Sequence, residues 1–208
     1  KSAYLQKTIL TKKQLIISIG REYGSRGHEI GEKLSKKLGL DLYDRNILDE
    51  VAIQNGANVE DLSKYDERPK HHFFSRTVRG YSNNPAVNVA ELQFALLKSK
   101  AADGDSFIVI GRCSDEIFKG IEENVSIIIT ADYEDKVSRI MKHRNFSKKE
   151  AENAMEKHDK RRSAYHNTFC KTKWGEASSY DISVNMSKLG IEGTAEFLYR
   201  YITDFRDK

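Results

Sequence analysis

The chain has 208 residues, of which 38% are hydrophobic and 32% are charged, so it can bury a core beneath a well-hydrated surface. No run approaches the roughly 18 apolar residues of a membrane span, and the basic N-terminal segment lacks the apolar stretch and cleavage site of a secretory signal. A net charge of +4 without a basic-aromatic array argues against nucleic-acid binding, so we expect a soluble protein that binds neither nucleic acid nor membranes.

Chain length and cysteine content indicate the number of domains and the cellular compartment. A chain of this size favours a single domain spanning residues 1–208. The 2 cysteines, Cys113 and Cys170, provide no disulfide framework, so we predict a cytoplasmic protein in which Cys113 packs in the interior. His71 and His72 have no cysteine or carboxylate at zinc-ligand spacing, and the sequence predicts no metal site built from side chains.

Five short segments rich in β-branched or aromatic residues predict strands: 15–19, 40–43, 107–110, 125–130 and 180–184. Most of them lack alternating polar residues, which is typical of strands covered on both faces. Helical patterns alternate with them at 28–38, 45–55, 88–102, 133–143, 147–165 and 191–205. This alternation predicts an α/β fold in three layers, with a doubly wound five-stranded parallel sheet. Residues 63–87 are polar, aromatic and weakly periodic, and we predict that they form a small mobile insertion.

Helix boundaries are indicated by capping residues. Gly39 and Gly56 are predicted to end the first two helices, and Asp44 to cap the start of the second. Capping-box patterns begin at Asn88 and at Ser147, each with a glutamate three residues later, and Asp132 is predicted to cap helix 133–143.

Arginines follow three of the five predicted strands. Arg21, Arg45 and Arg112 come directly after the first, second and third strands, with Asp44 beside Arg45. Because ligands of open α/β sheets bind outside the carboxyl ends of the strands, these side chains are predicted to meet at one edge. Their coincidence there favours an anionic ligand, although caps and hydrated loops explain any one of them.

The first strand leads through a glycine-rich turn, GREYGSRGH at residues 20–28, into a helix. Such a turn directs backbone N–H groups and the positive helix end at phosphate oxygens. The pattern G-x-x-x-x-G-K-[ST] would add a lysine and a hydroxyl here, and neither is present. The predicted phosphate-binding residues are Gly20, Arg21, Gly24, Ser25, Arg26, Gly27 and His28.

Three segments resemble the cytidylate kinase-like family, a branch of the P-loop nucleoside monophosphate kinases. They are ISIGREYGSRGHEIGEKLSKKLGLDLYDRNIL, FIVIGRCSDEIF and KWGEASSYDISVNMSKLGIEGTAEFLYRYI, and the resemblance runs in order from about residue 14 to residue 202. It implies a five-stranded parallel sheet, ATP with Mg²⁺ as the donor and a nucleoside monophosphate as the acceptor. The branch typically has Gly-Ser-Gly-Gly and a basic residue in the turn, whereas this chain has Ser25-Arg26-Gly27-His28. Arg26 therefore either binds a phosphate or crowds it.

Further cations are assigned from the helix beginning at Ser147. His158, Arg162 and Tyr165 share one face of it, and the segment HDKRR at 158–162 resembles the lid of cytidylate kinases. The resemblance implies a lid near 145–173, with Arg161 and Arg162 as its catalytic arginines. Asp159 is predicted to orient them or to touch magnesium through water, and a simple helical pair with Arg162 is the alternative.

The acceptor site is assigned to the strand ends and the insertion. Asp44, Arg45, Arg112 and Arg79 are predicted to bind the substrate, because guanidinium groups match the geometry of a phosphate. Gly111-Arg112 also resembles the Gly-Arg-Asp element that contacts the acceptor in cytidylate kinases, although Cys113 stands at the aspartate position.

Three functions remain open from the sequence. The first is transfer of a γ-phosphoryl group from a nucleoside triphosphate to a pyrimidine nucleoside monophosphate. The second is a nucleotide- or phosphate-binding module whose degenerate turn supports little transfer. The third is a kinase of another small acceptor on the same scaffold.

Overall fold

A computed structural model of the protein describes residues 13–66, 68, 77–78, 81–82 and 85–206. Its elements in chain order are β1 (Ile16–Arg21), α1 (Gly27–Leu38), β2 (Asp41–Tyr43), α2 (Ile47–Asn55), α3 (Val59–Ser63), β3 (Thr77–Val78), β4 (Tyr81–Ser82), α4 (Pro85–Ala102), β5 (Phe107–Ile110), α5 (Ser114–Ile117), β6 (Asn124–Thr130), α6 (Tyr133–Arg144), α7 (Lys148–Phe169), β7 (Ile182–Asn185) and α8 (Met186–Arg206). Arg79 and much of the predicted insertion lie outside the described residues. Of that insertion, β3 and β4 form an antiparallel pair.

Five strands form a parallel sheet in the order β2-β5-β1-β6-β7. The central strand β1 is buried over its first four residues, and its neighbour β5 is apolar and buried throughout, because helices cover both faces of the sheet. The predicted fold class is confirmed. All five predicted strands of the sheet are present within two residues of their expected limits.

Two apolar clusters flank the sheet. On one face Ile17 and Ile19 of β1 pack with Ile30 and Leu34 of α1 and with Leu198 of α8. On the other face the second cluster joins side chains of β1, β2 and β5 to α2 and α4; it includes Ile16, Tyr43, Val51, Leu97 and Phe107. The alternation of β1 side chains between the two clusters fixes the register of the strand, and with it the direction of the turn that follows.

Several helix limits differ from the expectations. α2 begins at Ile47, because Asn46 and not Asp44 is its N-cap, and the Asn46 side chain instead accepts a hydrogen bond from the Asp44 N–H. α4 begins at Pro85, before the predicted cap at Asn88, since proline is favoured in the first turn of a helix. The capping box at Ser147 is present. Helix α7 continues past the predicted end to Phe169, and α8 begins at Met186 with a kink at Gly190.

Within the described part of the chain, no helix combines the length and the apolar character needed to cross a membrane.

Candidate functional site

The turn between β1 and α1 ends in an uncapped helix N-terminus. Arg26 is the N-cap residue, with φ of 58°, and its side chain makes no capping hydrogen bond. The first N–H groups of an α-helix have no partner inside the helix. Those of Gly27 and His28 are therefore available to an anion, and the helix dipole favours negative charge at the same place.

Two glycines allow the turn to pack tightly. A Cβ at Gly27 would lie 2.5 Å from Cβ of Arg21, and one at Gly24 would lie 3.1 Å from Cβ of Lys136. Both neighbours are atoms held close to the backbone, so they cannot rotate away. Gly24 also has φ of +88°, a region that side chains disfavour.

We expect Gly27→Ala to lower the free energy of unfolding by about 1–3 kcal/mol, because the added methyl group overlaps Arg21. It should also weaken triphosphate binding at the turn. Urea unfolding and calorimetric titration with a nucleoside triphosphate measure the two effects. Gly31→Ala is the matched control in the same helix, since the only close approach of its Cβ would be to the terminal methyl group of Ile110, at 2.9 Å, which can move more easily than Cβ of Arg21. Equal losses in both variants would contradict a specific role for Gly27.

Glu22 holds the turn in shape, a role that the sequence patterns did not reveal. Its carbonyl accepts hydrogen bonds from the N–H (3.3 Å) and the hydroxyl (2.9 Å) of Ser25. Its carboxylate accepts from Lys136 Nζ (2.9 Å) and from the N–H of Ala131 (3.3 Å). The buried Ser25 hydroxyl is thus committed to the turn, so Ser25 offers a ligand its backbone.

A cavity of about 500 Å³ opens beside the turn. Arg26, Arg45, Arg112 and Arg162, which come from separate parts of the sequence, all line it. The other predicted site residues on its wall are Arg21, Gly24, Gly27, His28, Asp44 and Arg161. Gly20, Ser25 and Asp159 lie next to it without lining it, and Arg79 is outside the described residues. The geometry thus brings the predicted cations to one place, while their individual roles remain predictions.

Asp44 is the acidic centre of the cavity wall. Its carboxylate lies 3.0 Å from His28 Nδ1 and 3.8 Å from both Arg21 and Arg112. Burial by itself would raise the pKa of Asp44, but the His28 hydrogen bond and the two arginines outweigh it and lower the pKa to about 2. The same hydrogen bond raises the pKa of His28, so the pair favours its charged form.

We expect Asp44→Asn to lower the free energy of unfolding at pH 7 by about 2 kcal/mol, the value of the pKa shift. Because the folded pKa lies below the ordinary 3.8, the stabilisation is complete above about pH 5 and disappears as the pH falls towards 2. Urea unfolding of both proteins at several pH values measures the difference. Asp41→Asn, at an exposed position of β2, is the control. A loss for Asp44→Asn that stays constant down to pH 3 would contradict this prediction.

Arg112 is far more buried than a surface phosphate ligand would be. Only 1% of it is exposed, and its guanidinium group lies 3.0 Å from Asp66, which also accepts a hydrogen bond from Gln93. Asp66 belongs to the segment that the sequence marks as an insertion, and its polar pattern gave no sign of this ion pair. An acceptor phosphate at Arg112 would therefore have to replace or join Asp66.

Helix α7 contacts the glycine turn directly. Asp159 accepts a hydrogen bond from the N–H of Tyr23 (2.7 Å), and Arg162 donates one to the carbonyl of Arg21 (3.2 Å). The rings of His158 and Tyr23 stack with centroids 4.1 Å apart. Burial raises the pKa of Asp159 to about 6, partly offset by the Tyr23 hydrogen bond and by Arg162. The Asp159–Arg162 helical pair is long, at 3.9 Å, so both side chains are directed mainly at the turn.

The last turns of α6 add cations that the sequence analysis missed. Arg139, His143 and Arg144 line the cavity, and Arg139 forms an ion pair with Glu29 of α1. Arg139 precedes His143 by four residues and Arg144 by five, and this spacing along one helix was the available signal. Since basic residues near a helix C-terminus are common for reasons of the helix dipole, that signal alone does not indicate a ligand.

The comparisons with known proteins fit this geometry. The model of the cytidylate kinase-like family matches residues 16–188. The chain belongs to the cytidylate kinase-like family. Family and fold together support a nucleotide kinase in general terms.

Solved structures extend the comparison for this cytidylate kinase-like chain. A crystal structure described as an uncharacterized protein from Eubacterium ventriosum is 31% identical, with a TM-score of 0.72, and the match covers 91% of this chain and 99% of that one. Shikimate kinase from Acinetobacter baumannii, in complex with shikimate, is 11% identical with a TM-score of 0.53, covering 93% and 95% of the two chains. Shikimate kinase from Bacteroides thetaiotaomicron is 12% identical with a TM-score of 0.55, covering 91% and 98%. At such identities these two share the fold alone. No curated protein matches the chain by sequence.

Proposed function

We propose that the protein is a nucleoside monophosphate kinase that transfers the γ-phosphoryl group of ATP to a pyrimidine nucleoside monophosphate in the cytoplasm. The observation that carries this proposal is the convergence of arginines from five segments of the fold on one cavity beside an uncapped helix N-terminus. In phosphoryl transfer, catalysis consists mainly of positioning the reactants and neutralising charge. A cavity of this composition serves both purposes.

The donor phosphates would lie on the turn. Gly24 and Gly27 let the backbone approach them, and Arg26 extends over the same space. A second groove, of about 600 Å³, shares Gly24, Arg26 and Arg139 with the main cavity and has room for the nucleoside. The donor would thus span both spaces, with its terminal phosphate directed at the arginines.

The carboxylates near the cavity fit an Mg²⁺ ion that arrives with the nucleotide. Carboxylate oxygens are the protein ligands that Mg²⁺ prefers, usually together with several waters. Glu22 and Asp44 line the cavity, and Oδ1 of Asp44 is buried without a hydrogen-bond donor among the described residues. Asp159 is the further carboxylate close to the turn. Bound there, Mg²⁺ would supply neutralisation of phosphate charge.

The acceptor phosphate would lie between Arg45 and Arg112, opposite the turn. Arg45 is exposed and can approach a ligand freely, whereas Arg112 is held by Asp44 and Asp66. Asp44 also holds Arg21 and His28 in place. Arg79 remains a proposed acceptor ligand from the sequence alone.

Transfer would take place beneath α7. Arg162 is fixed to the turn through the carbonyl of Arg21, and Arg161 is adjacent, with a buried Nε that has no hydrogen-bond partner among the described residues. As an acceptor oxygen bonds to the γ-phosphorus and the bond to the β-phosphate oxygen breaks, these guanidinium groups would balance the charge on the phosphoryl oxygens.

A nucleotide-binding module with little transfer is the second candidate, and the turn itself favours it. Arg26 stands where the family has glycine, and its guanidinium group lies 3.8 Å from Glu29. The turn contains no lysine, and Lys136 of α6, which packs against Gly24, is paired with Glu22. Such a module would bind triphosphate without transferring it.

A coupled assay across nucleoside monophosphates, with ATP and Mg²⁺, tests the proposal. We expect the highest kcat/KM with a pyrimidine monophosphate. Triphosphate binding without turnover on any acceptor would reject the kinase and favour the module. The Arg26→Gly variant shows whether Arg26 binds a phosphate or crowds it. A lower affinity for ATP would identify Arg26 as a ligand, and a higher affinity would identify it as an obstruction.

A further inference from the structure

A second cluster of reactive side chains lies behind the phosphate cavity, where the end of α7 meets the start of α5. Asp115, His166 and Cys170 place one ligand atom each within 4.8 Å of one another. Cys113, the residue before α5, packs in the same cluster as Cys170. None of these four side chains has a part in the proposed phosphoryl transfer.

The fold builds this cluster from two short segments. His166 lies in the last turn of α7, and Cys170 is the residue that follows the helix, with its N–H donating a hydrogen bond to the His166 carbonyl (2.8 Å). Cys113 and Asp115 flank the first residue of α5, and Cys113 has φ of 54°, which turns the chain sharply there. The pairing of His166 with Asp115, at 2.7 Å, brings the two segments together.

The environment is that of an interior site. His166 and Cys113 are 5% and 4% exposed, and the side chain of Asp115 is 10% exposed. A small space of about 20 Å³, enough for one water-sized group, borders Cys113, Asp115 and His166 together with Arg112 and Arg162; Cys170 is not part of its lining. Hydrophobic side chains, including Tyr165 and Phe169, pack around the two cysteines.

The donor types match a zinc ion. Thiolate sulfur, imidazole nitrogen and carboxylate oxygen are the ligands that Zn²⁺ takes in proteins, four of them in a structural site. Without metal, the Asp115–His166 ion pair and a neutral Cys170 have no net charge. A divalent ion held by the Asp115 carboxylate, the neutral His166 imidazole and the Cys170 and Cys113 thiolates displaces three protons and leaves a net charge of −1. Arg112 and Arg162, which border the same small space, can compensate that charge.

We propose that Cys170, His166 and Asp115, completed by Cys113, form a binding site for a zinc-like divalent cation that ties the end of α7 to the start of α5. A disulfide between Cys113 and Cys170 would use the thiols and leave the carboxylate–imidazole pair beside them without a role. The proposal is independent of the phosphoryl-transfer assignment, because its ligands lie outside the catalytic and substrate-binding sets.

Cobalt(II) is the probe for this site, because thiolate-bound tetrahedral Co²⁺ absorbs in both the near-ultraviolet and the visible. The reduced, chelator-treated full chain is titrated with Co²⁺ and then with Zn²⁺. We expect one Co²⁺ per chain, loss of the absorbance as Zn²⁺ displaces it, and release of about three protons per metal in weakly buffered solution. Absence of a thiolate–cobalt band would overturn the proposal.

Variants make the assignment specific. Cys170→Ser should abolish the thiolate–cobalt band or shift it strongly, and His166→Gln should weaken Co²⁺ binding at least tenfold. His143→Gln, on α6, is the matched control and should bind Co²⁺ as the unchanged chain does. A band that survives in both Cys170→Ser and His166→Gln, or a Cys113–Cys170 disulfide formed in air with no metal uptake after reduction, would also overturn it. Circular dichroism of each variant separates loss of a ligand from loss of the fold.

Discussion

Replacing Arg162 with alanine is expected to lower kcat for phosphoryl transfer by about 10³-fold, the lower end of the range for an arginine that stabilises a transferring phosphoryl group. Arg162 lines the cavity, and its guanidinium group donates to the carbonyl of Arg21 at the edge of the turn. The charge would be needed most as the phosphoryl group moves. The effect should therefore fall on kcat, with the KM for ATP changing much less.

Steady-state kinetics under saturating ATP measures this effect. Lys160→Ala is the matched control, since it removes a positive charge from an exposed position of the same helix. Arg162→Lys should recover only part of the loss, because an ammonium group lacks the fork of donors. An alanine variant with unchanged kcat, or one whose defect lies entirely in the KM for ATP, would show that Arg162 only shapes the turn.

Replacing Arg112 with methionine is expected to cause the largest loss of stability, a drop of about 3–5 kcal/mol in the free energy of unfolding. Arg112 is 1% exposed and lies between Asp66, at 3.0 Å, and Asp44, at 3.8 Å. Removing the guanidinium group leaves these carboxylates with less compensation in a buried place. Urea unfolding at pH 7 measures the change.

A second substitution shows whether the carboxylates are the cause. Adding Asp66→Asn to Arg112→Met removes one of the charges left without Arg112, so it should recover part of the lost stability. A double variant less stable than Arg112→Met would mean that the defect comes from packing. If Arg112 also binds the acceptor phosphate, the KM for the acceptor should rise in the Arg112→Met variant, provided that this variant still folds.

Much of the fold was predictable because it follows from local patterns. Short apolar segments such as 107–110, separated by glycines and polar residues, indicate a parallel sheet. This prediction does not depend on the identity of the side chains at the edge of the sheet. The start of a helix was less predictable where two nearby residues could both serve as its N-cap, as Asp44 and Asn46 could for α2. There the outcome depends on which side chain finds a partner elsewhere, and Asp44 finds His28.

The candidate site was predictable for residues whose position follows from the order of strands and loops along the chain. Arg21, Arg45 and Arg112 follow strands, and parallel strands end at one edge. The roles of Asp66 and Arg139 were not predictable from the sequence, because each depends on a contact between distant segments. Asp66 pairs with Arg112, and Arg139 pairs with Glu29. The cluster around His166 was not predictable for the same reason, because Asp115 lies about 50 residues before His166 and Cys170 in the chain.

The contacts between α7 and the glycine turn have a mechanical consequence. Because Asp159 holds the backbone of Tyr23 and His158 stacks on its ring, a displacement of α7 must either carry the turn along or break both contacts. Substitutions of Asp159 or His158 should therefore alter ATP affinity and turnover together. We therefore expect α7 and the glycine turn to respond to a ligand as one unit.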